Sequence, residues 1–208
     1  MITQAILFDY GGVLEGPLDE AAFASDLAYL ARKHGFETGK ALWNHLYASE
    51  SWEKAKRGLL SRDEFWRERL GALGLYTADE QAAFKQMLYR NRGIRPDMEA
   101  LARELHRSFR LAVLSNTSRR DLAIYLSQRR GLAGLFELVV SSAAVGLAKP
   151  DPAIFQLTLE QLGVAPQQVI FVDDLPRNTQ AAEALGIPSI VFVSAAELRA
   201  ELTKRHIL

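Results

Sequence analysis

Ala5-Ile-Leu-Phe8 is an unbroken apolar run, and the residue after it, Asp9, is the first charged side chain in the chain. A run this short, with no polar alternate positions, suits a strand covered on both faces, as in a parallel sheet flanked by crossover helices. A carboxylate at its C-terminal end stands at the open edge of such a sheet, where α/β proteins bind their ligands. Gly11 and Gly12 follow, letting the backbone turn sharply and approach a ligand closely.

The same signature returns in the second half of the chain. Arg110 to Ser115 (RLAVLS), Leu138 to Val140, Gln168 to Val172 and Ser189 to Val193 read as four more buried strands. Helical periodicity separates them. Pro96 opens a helix with Met98, Leu101 and Leu105 on one face, and Asn116-Thr-Ser118 is placed to cap a helix over Arg119 to Arg130 that turns Leu122, Tyr125 and Leu126 inward. Pro152 starts a third helix carrying Ile154, Phe155, Leu159 and Leu162, and two more are expected over Pro176 to Leu185 and Ala195 to Lys204. Strands alternating with helices imply an α/β fold, a doubly wound parallel five-stranded sheet of the Rossmann-like type.

Between Leu18 and Asn91 there is no buried strand pattern. Phe23, Leu27 and Leu30 recur at helical spacing up to a stop at Gly35, and Leu42, His45, Leu46 and Trp52 suggest a second helix. Ser61-Arg-Asp-Glu64 and Thr77-Ala-Asp-Glu80 match the capping box and open two more. About four helices are therefore expected as an insert, residues 16–94, in a core made of 1–15 and 95–208. Trp43, Trp52, Phe65 and Trp66 read as the packing of that insert.

Composition narrows the function classes. Lys plus Arg equals Asp plus Glu at 25 each, so no global field steers the protein toward nucleic acid or acidic lipid. The absence of cysteine excludes disulfides, thiolate metal sites and a cysteine nucleophile. No basic leader with a cleavage site and no bilayer-length apolar run is visible, so no membrane partner and a cytoplasmic location are expected.

Three strand ends carry polar groups out of apolar runs: Asp9, Ser115-Asn116 and Asp173-Asp174. Three carboxylates from two strand ends suit Mg²⁺, which prefers carboxylates, waters and phosphate oxygens, and a carbonyl near Gly11 can add a ligand. Ser115 offers a hydroxyl and Asn116 an amide, while Lys149, between turn residues before a helix, adds a fixed positive charge. A metal, a lysine and oriented donors around a carboxylate nucleophile describe phosphoryl transfer through an aspartyl-phosphate.

Phe8-Asp9-Tyr-Gly-Gly-Val-Leu14, Leu114-Ser-Asn116, Lys149-Pro-Asp-Pro152 and Phe171-Val-Asp-Asp-Leu-Pro-Arg-Asn178, in this order, resemble the four motifs of the haloacid dehalogenase-like (HAD) superfamily. The helical stretch between the first two resembles that family's small helical cap. The resemblance implies that Asp9 is the nucleophile and a metal ligand, the Gly11 carbonyl a second ligand and Asp174 the third. It further implies that Ser115, helped by Asn116, binds the phosphate. Lys149 would neutralise Asp9 and the phosphate, and Asp173 and Asn178 would support the metal and the lysine. The implied activity is Mg²⁺-dependent hydrolysis of a small phosphorylated metabolite, such as a sugar phosphate.

One position departs from the pattern. Most phosphatases of the family carry a second aspartate, the general acid and base, where this chain has Gly11. A cap residue such as Glu15 or His45 is a candidate substitute, and Trp43, His45, Trp52, Lys54 and Arg57 are candidates for substrate selection. The rival readings are a metal-independent 2-haloacid dehalogenase, which does not need Asp173 and Asp174 as ligands, and a catalytically silent protein that binds a phosphorylated ligand.

Overall fold

The computed structural model describes residues 2–128 and 132–208. In chain order its elements are β1 (Ala5–Phe8), β2 (Glu15–Pro17), α1 (Glu20–Lys33), α2 (Gly39–Tyr47), α3 (Glu50–Ala55), α4 (Arg62–Gly71), α5 (Ala78–Tyr89) and β3 (Arg92–Ile94). There follow α6 (Pro96–Leu105), β4 (Arg110–Ser115), α7 (Leu122–Ser127), β5 (Leu138–Ser141), α8 (Ser142–Val145), α9 (Pro152–Leu162), β6 (Val169–Asp173), α10 (Pro176–Glu183), β7 (Ser189–Val191) and α11 (Ala195–Lys204).

Five strands form one parallel sheet in the order β5-β4-β1-β6-β7, the doubly wound α/β arrangement expected from the alternation of elements. Successive side chains of a strand point to opposite faces, and each face here is apolar. Ile6, Phe8, Leu111, Val113, Ile170 and Val172 pack on one side with α6, α7 and α11. Ala5, Leu7, Ala112, Leu114, Val169 and Phe171 pack on the other with α9. Burial on both faces is why these strands read as continuous apolar runs.

Helices α1 to α5 share a third apolar cluster built around Leu42, Leu46, Phe65, Trp66 and Leu70. Trp43 and Trp52 pack against its edge, and both capping boxes form as expected, at Ser61 with Glu64 and at Thr77 with Glu80. The insert has five helices rather than four. Ser49 accepts a hydrogen bond from Trp52 N–H and caps α3, which separates Trp52 from the helix of Leu42 and Leu46.

Two further differences arise where local signals are short. β2 and β3 form a two-stranded antiparallel ribbon at the two ends of the insert, with Gly16 opposite Gly93. The helix expected from Arg119 begins only at Leu122, and no side chain caps it, because Asn116 is turned toward Lys149 instead. The end of that expected helix, 129–130, lies outside the described residues. Among the described residues no helix is long and apolar enough to cross a membrane.

Candidate active site

Parallel register sets Phe8 level with Val113 and Val172, so the residues that end β1, β4 and β6 emerge side by side. Asp9, Ser115 and Asp173 are all buried there. Lys149 reaches in from the turn before α9. Its ammonium lies 3.0 Å from Asp9 Oδ1 and 2.6 Å from Asp173 Oδ2, and donates to the Leu114 carbonyl at 2.7 Å. All three Nζ donors therefore have partners in a place water does not reach.

Each member of this cluster is held by others. Asp173 accepts from Asn178 Nδ2 at 2.9 and 3.0 Å and from Leu175 N–H at 2.9 Å. Asp9 Oδ1 also accepts from Tyr10 N–H at 2.7 Å. Asn116 clamps the backbone of Lys149, donating from Nδ2 to its carbonyl at 2.8 Å and accepting its N–H at 2.9 Å. That amide thus anchors Lys149, with one N–H still uncommitted. The Ser115 hydroxyl has no hydrogen-bond partner among the described residues.

Ligand atoms of Asp9, Asp173 and Asp174 all lie within 4.8 Å of one another. Three carboxylates so close, faced by one ammonium, leave an excess of negative charge in a poorly solvated place. Burial pushes the Asp9 carboxyl up to about 7, with Lys149 opposing the rise and Asp173 and Asp174 adding to it. Burial and then Asp173 raise Asp174 as well. Lys149 moves the other way from an isolated buried amine: burial pulls it down, yet Asp9 and Asp173 more than offset this and hold it above the ordinary lysine range. Crowded hard oxygen donors fit a small divalent cation, which would balance the surplus.

The two glycines after Asp9 differ. Gly12 has φ +92°, and a Cβ there would sit 2.5 Å from Asp174 Oδ2, so only glycine lets Asp174 approach the turn. Gly11 has an ordinary φ, and a Cβ there meets nothing within 4 Å. The position of the missing second aspartate is therefore open space.

Neither candidate substitute is a free acid. Glu15 is forked by Arg92, with Nε to Oε1 at 3.1 Å and Nη2 to Oε2 at 3.0 Å. Burial, then the adjacent Arg69, push His45 below the usual imidazole range, and its ring lies tilted against Phe36 with centroids 5.1 Å apart. Lys54 and Arg57 pair with Glu50 and Glu53 on the surface of the insert. Trp43 packs beside Phe23 and Trp52 beside Tyr47, so the sequence candidates in the insert are mostly accounted for by its packing. Sequence reasoning missed the Leu114 carbonyl and the Leu175 N–H, because a backbone group leaves no residue-type signal.

A family model described as haloacid dehalogenase-like hydrolase matches residues 3–186, which takes in all three strand-end groups and Lys149. This chain belongs to the haloacid dehalogenase-like hydrolases. It is 28% identical over 190 residues to the sesquiterpene phosphatase astK of Aspergillus oryzae, covering 88% of this chain and 87% of that protein. It is 32% identical over 115 residues to the phosphorylated carbohydrates phosphatase of Thermotoga maritima, 55% of this chain and 51% of that protein. Some relatives are much longer: the chain spans 30% of the drimenol cyclase drtB of Aspergillus calidoustus.

Among solved structures, a HAD family enzyme of Bacteroides thetaiotaomicron, in complex with magnesium and inorganic phosphate, superposes with TM-score 0.71 at 21% identity, over 94% of this chain and 98% of that one. An L-2-haloacid dehalogenase of Xanthobacter autotrophicus is also similar, with TM-score 0.65 at 26% identity, over 100% of this chain and 85% of that one.

Proposed function

We propose that this hydrolase is a Mg²⁺-dependent phosphatase that removes the phosphate from a small phosphomonoester, a sugar phosphate among the candidates, through an aspartyl-phosphate on Asp9. The observation that carries this reading is the pair Asp173 and Asp174 beside Asp9. An ester made on Asp9 alone needs no second and third carboxylate, whereas a phosphate dianion approaching Asp9 needs a cation between the two negative charges. In this reading Asp9, Asp174 and the Gly11 carbonyl hold the metal, which when bound polarises the phosphoryl group and neutralises its charge.

Chemistry then falls to the chain's own groups. The Asp9 carboxylate attacks phosphorus, and the bond to the leaving oxygen breaks with its electron pair on that oxygen. Lys149 favours the ionised form of Asp9, while the Ser115 hydroxyl and the spare N–H of Asn116 orient the phosphoryl oxygens. Water then attacks the acyl phosphate, breaks the bond to Asp9 and restores the carboxylate. Asp173 keeps Lys149 charged and Asn178 keeps Asp173 in place. The helical insert serves as a cap over these strand ends, excluding bulk water and selecting the substrate.

A panel of phosphate esters tests the reading. Phosphate release is expected with Mg²⁺, with a fall of at least about 10³-fold in EDTA that added Mg²⁺ reverses. Full activity in chelator, or halide release from a halo-acid instead, would overturn it.

Leaving groups give a second test. A positioned acid commonly contributes about 10²- to 10⁴-fold, and neither Gly11, the forked Glu15 nor His45 supplies one here. The rate over a series of substituted aryl phosphates is therefore expected to fall steeply as the leaving-group pKa rises. Gly11→Asp, at a site with room and an ordinary φ, should flatten that dependence. A flat dependence in the parent protein contradicts the missing donor.

A further inference from the structure

The chain enters and leaves the helical insert through β2 and β3, whose central residues, Gly16 and Gly93, face each other directly. Cross-strand side-chain pairs stiffen a two-stranded ribbon, and this central pair has no side chains. Glu15 and Arg92 reach diagonally across it in the forked pair at 3.0 and 3.1 Å, their side chains 16% and 11% exposed. The same guanidinium lies 5.0 Å from the ring centroid of Phe23 in α1 and 5.1 Å from that of Trp43 in α2. Arg92 thus grips two helices of the insert as well as Glu15.

Glu15 in turn belongs to the turn that follows Asp9. Its N–H donates to the Tyr10 carbonyl and its carbonyl accepts from Gly12 N–H, both at 2.7 Å. Beside the same ribbon, Arg95 lies so close over Gly16 that a Cβ there would come within 2.5 Å of Nε, and it pairs with Glu20 of α1 at 3.7 Å. In both pairs the acid lies before or at the start of the first helix of the insert, and the arginine after its last.

We propose that Glu15 and Arg92 form a clasp across a glycine hinge, setting the angle of the insert and, through the backbone of Glu15, the geometry of the turn that carries Gly11 and Gly12. They are positioning residues for the reaction given under Proposed function, on which that catalytic role rests; neither touches the reacting atoms. Both carboxylate oxygens of Glu15 accept from Arg92, so the residue supplies geometry rather than a proton. A forked, mostly buried pair suits this task, because removing either partner strands the other charge.

The test is amide hydrogen exchange, which needs no substrate, on Glu15→Gln, Arg92→Gln, Arg92→Lys and the double Gln variant. Exchange in segments 14–18 and 90–95 is expected to rise about tenfold in each single Gln variant while segment 110–115 is unchanged. The double variant should exchange no faster than either single one, and Arg92→Lys should lie nearer the parent. Unchanged ribbon exchange, additive acceleration in the double variant, or acceleration spread evenly to segment 110–115 would overturn the clasp. In parallel, kcat/KM should fall about tenfold in both single Gln variants with the leaving-group dependence unaltered. A steeper dependence in Glu15→Gln alone would make Glu15 a proton donor and overturn the assignment. If the exchange pattern holds while no ester is hydrolysed, the clasp stands and the phosphatase reading fails.

Discussion

Asp9→Asn is expected to abolish turnover, by about 10⁴-fold or more, while leaving the fold intact. An amide has nearly the shape of the carboxylate but is a far poorer nucleophile. The replacement keeps an oxygen that can accept from Tyr10 N–H, and Lys149 keeps its bonds to Asp173 and the Leu114 carbonyl. Burial already opposes the charge on Asp9, so losing it should not lower stability. Phosphate release and the circular dichroism melt, measured on the same preparation, check both halves. A near-parental rate in a folded Asp9→Asn protein would remove Asp9 as the nucleophile.

Lys149→Met should lose both activity and stability. Methionine fills much of the same volume, so the experiment removes charge rather than packing. Asp9 and Asp173 would then face each other uncompensated, and the Leu114 carbonyl would lose its donor. Breaking a buried pair by removing one partner costs about 3–5 kcal/mol, and the rate should fall by about 10³-fold or more. The pH dependence has a definite sign. Lys149 is the influence that lowers Asp9, so without it the folded carboxyl rises further above its unfolded value. The folded variant then keeps a proton to higher pH than the parent does, so the deficit against the parent should shrink as pH falls to about 7, where the parent's Asp9 takes up its proton as well. Denaturant melts at several pH values measure this, and a deficit that grows on acidification would contradict the assigned electrostatics.

How far the sequence carried these assignments depended on how local each signal was. The three central strands were legible because burial on both faces makes each an apolar run, and Asp9, Ser115 and Asp173 because each stands where such a run stops. Capping boxes at Ser61 and Thr77 were legible for the same reason: the pattern and its partner lie three residues apart. β2 and β3 were not legible, since three-residue strands containing Gly16, Pro17 and Gly93 show no period of two. Asn116 misled as a helix cap because its partner, the backbone of Lys149, lies 33 residues away and only the fold brings it near. Glu15 was read as a candidate for the missing general acid, and the arginine that forks it lies 77 residues further on.

The proposed chemistry puts a covalent phosphate on one named side chain, and acid-quenched single turnover tests that most directly. The enzyme, in excess over an aryl phosphate with Mg²⁺ present, is stopped at successive times, digested and read by mass spectrometry. A phosphate is expected on the peptide that contains Asp9, rising before free phosphate and decaying as free phosphate appears, and absent in Asp9→Asn. Turnover with no covalent phosphate at any time, or with phosphate on another residue, would contradict it.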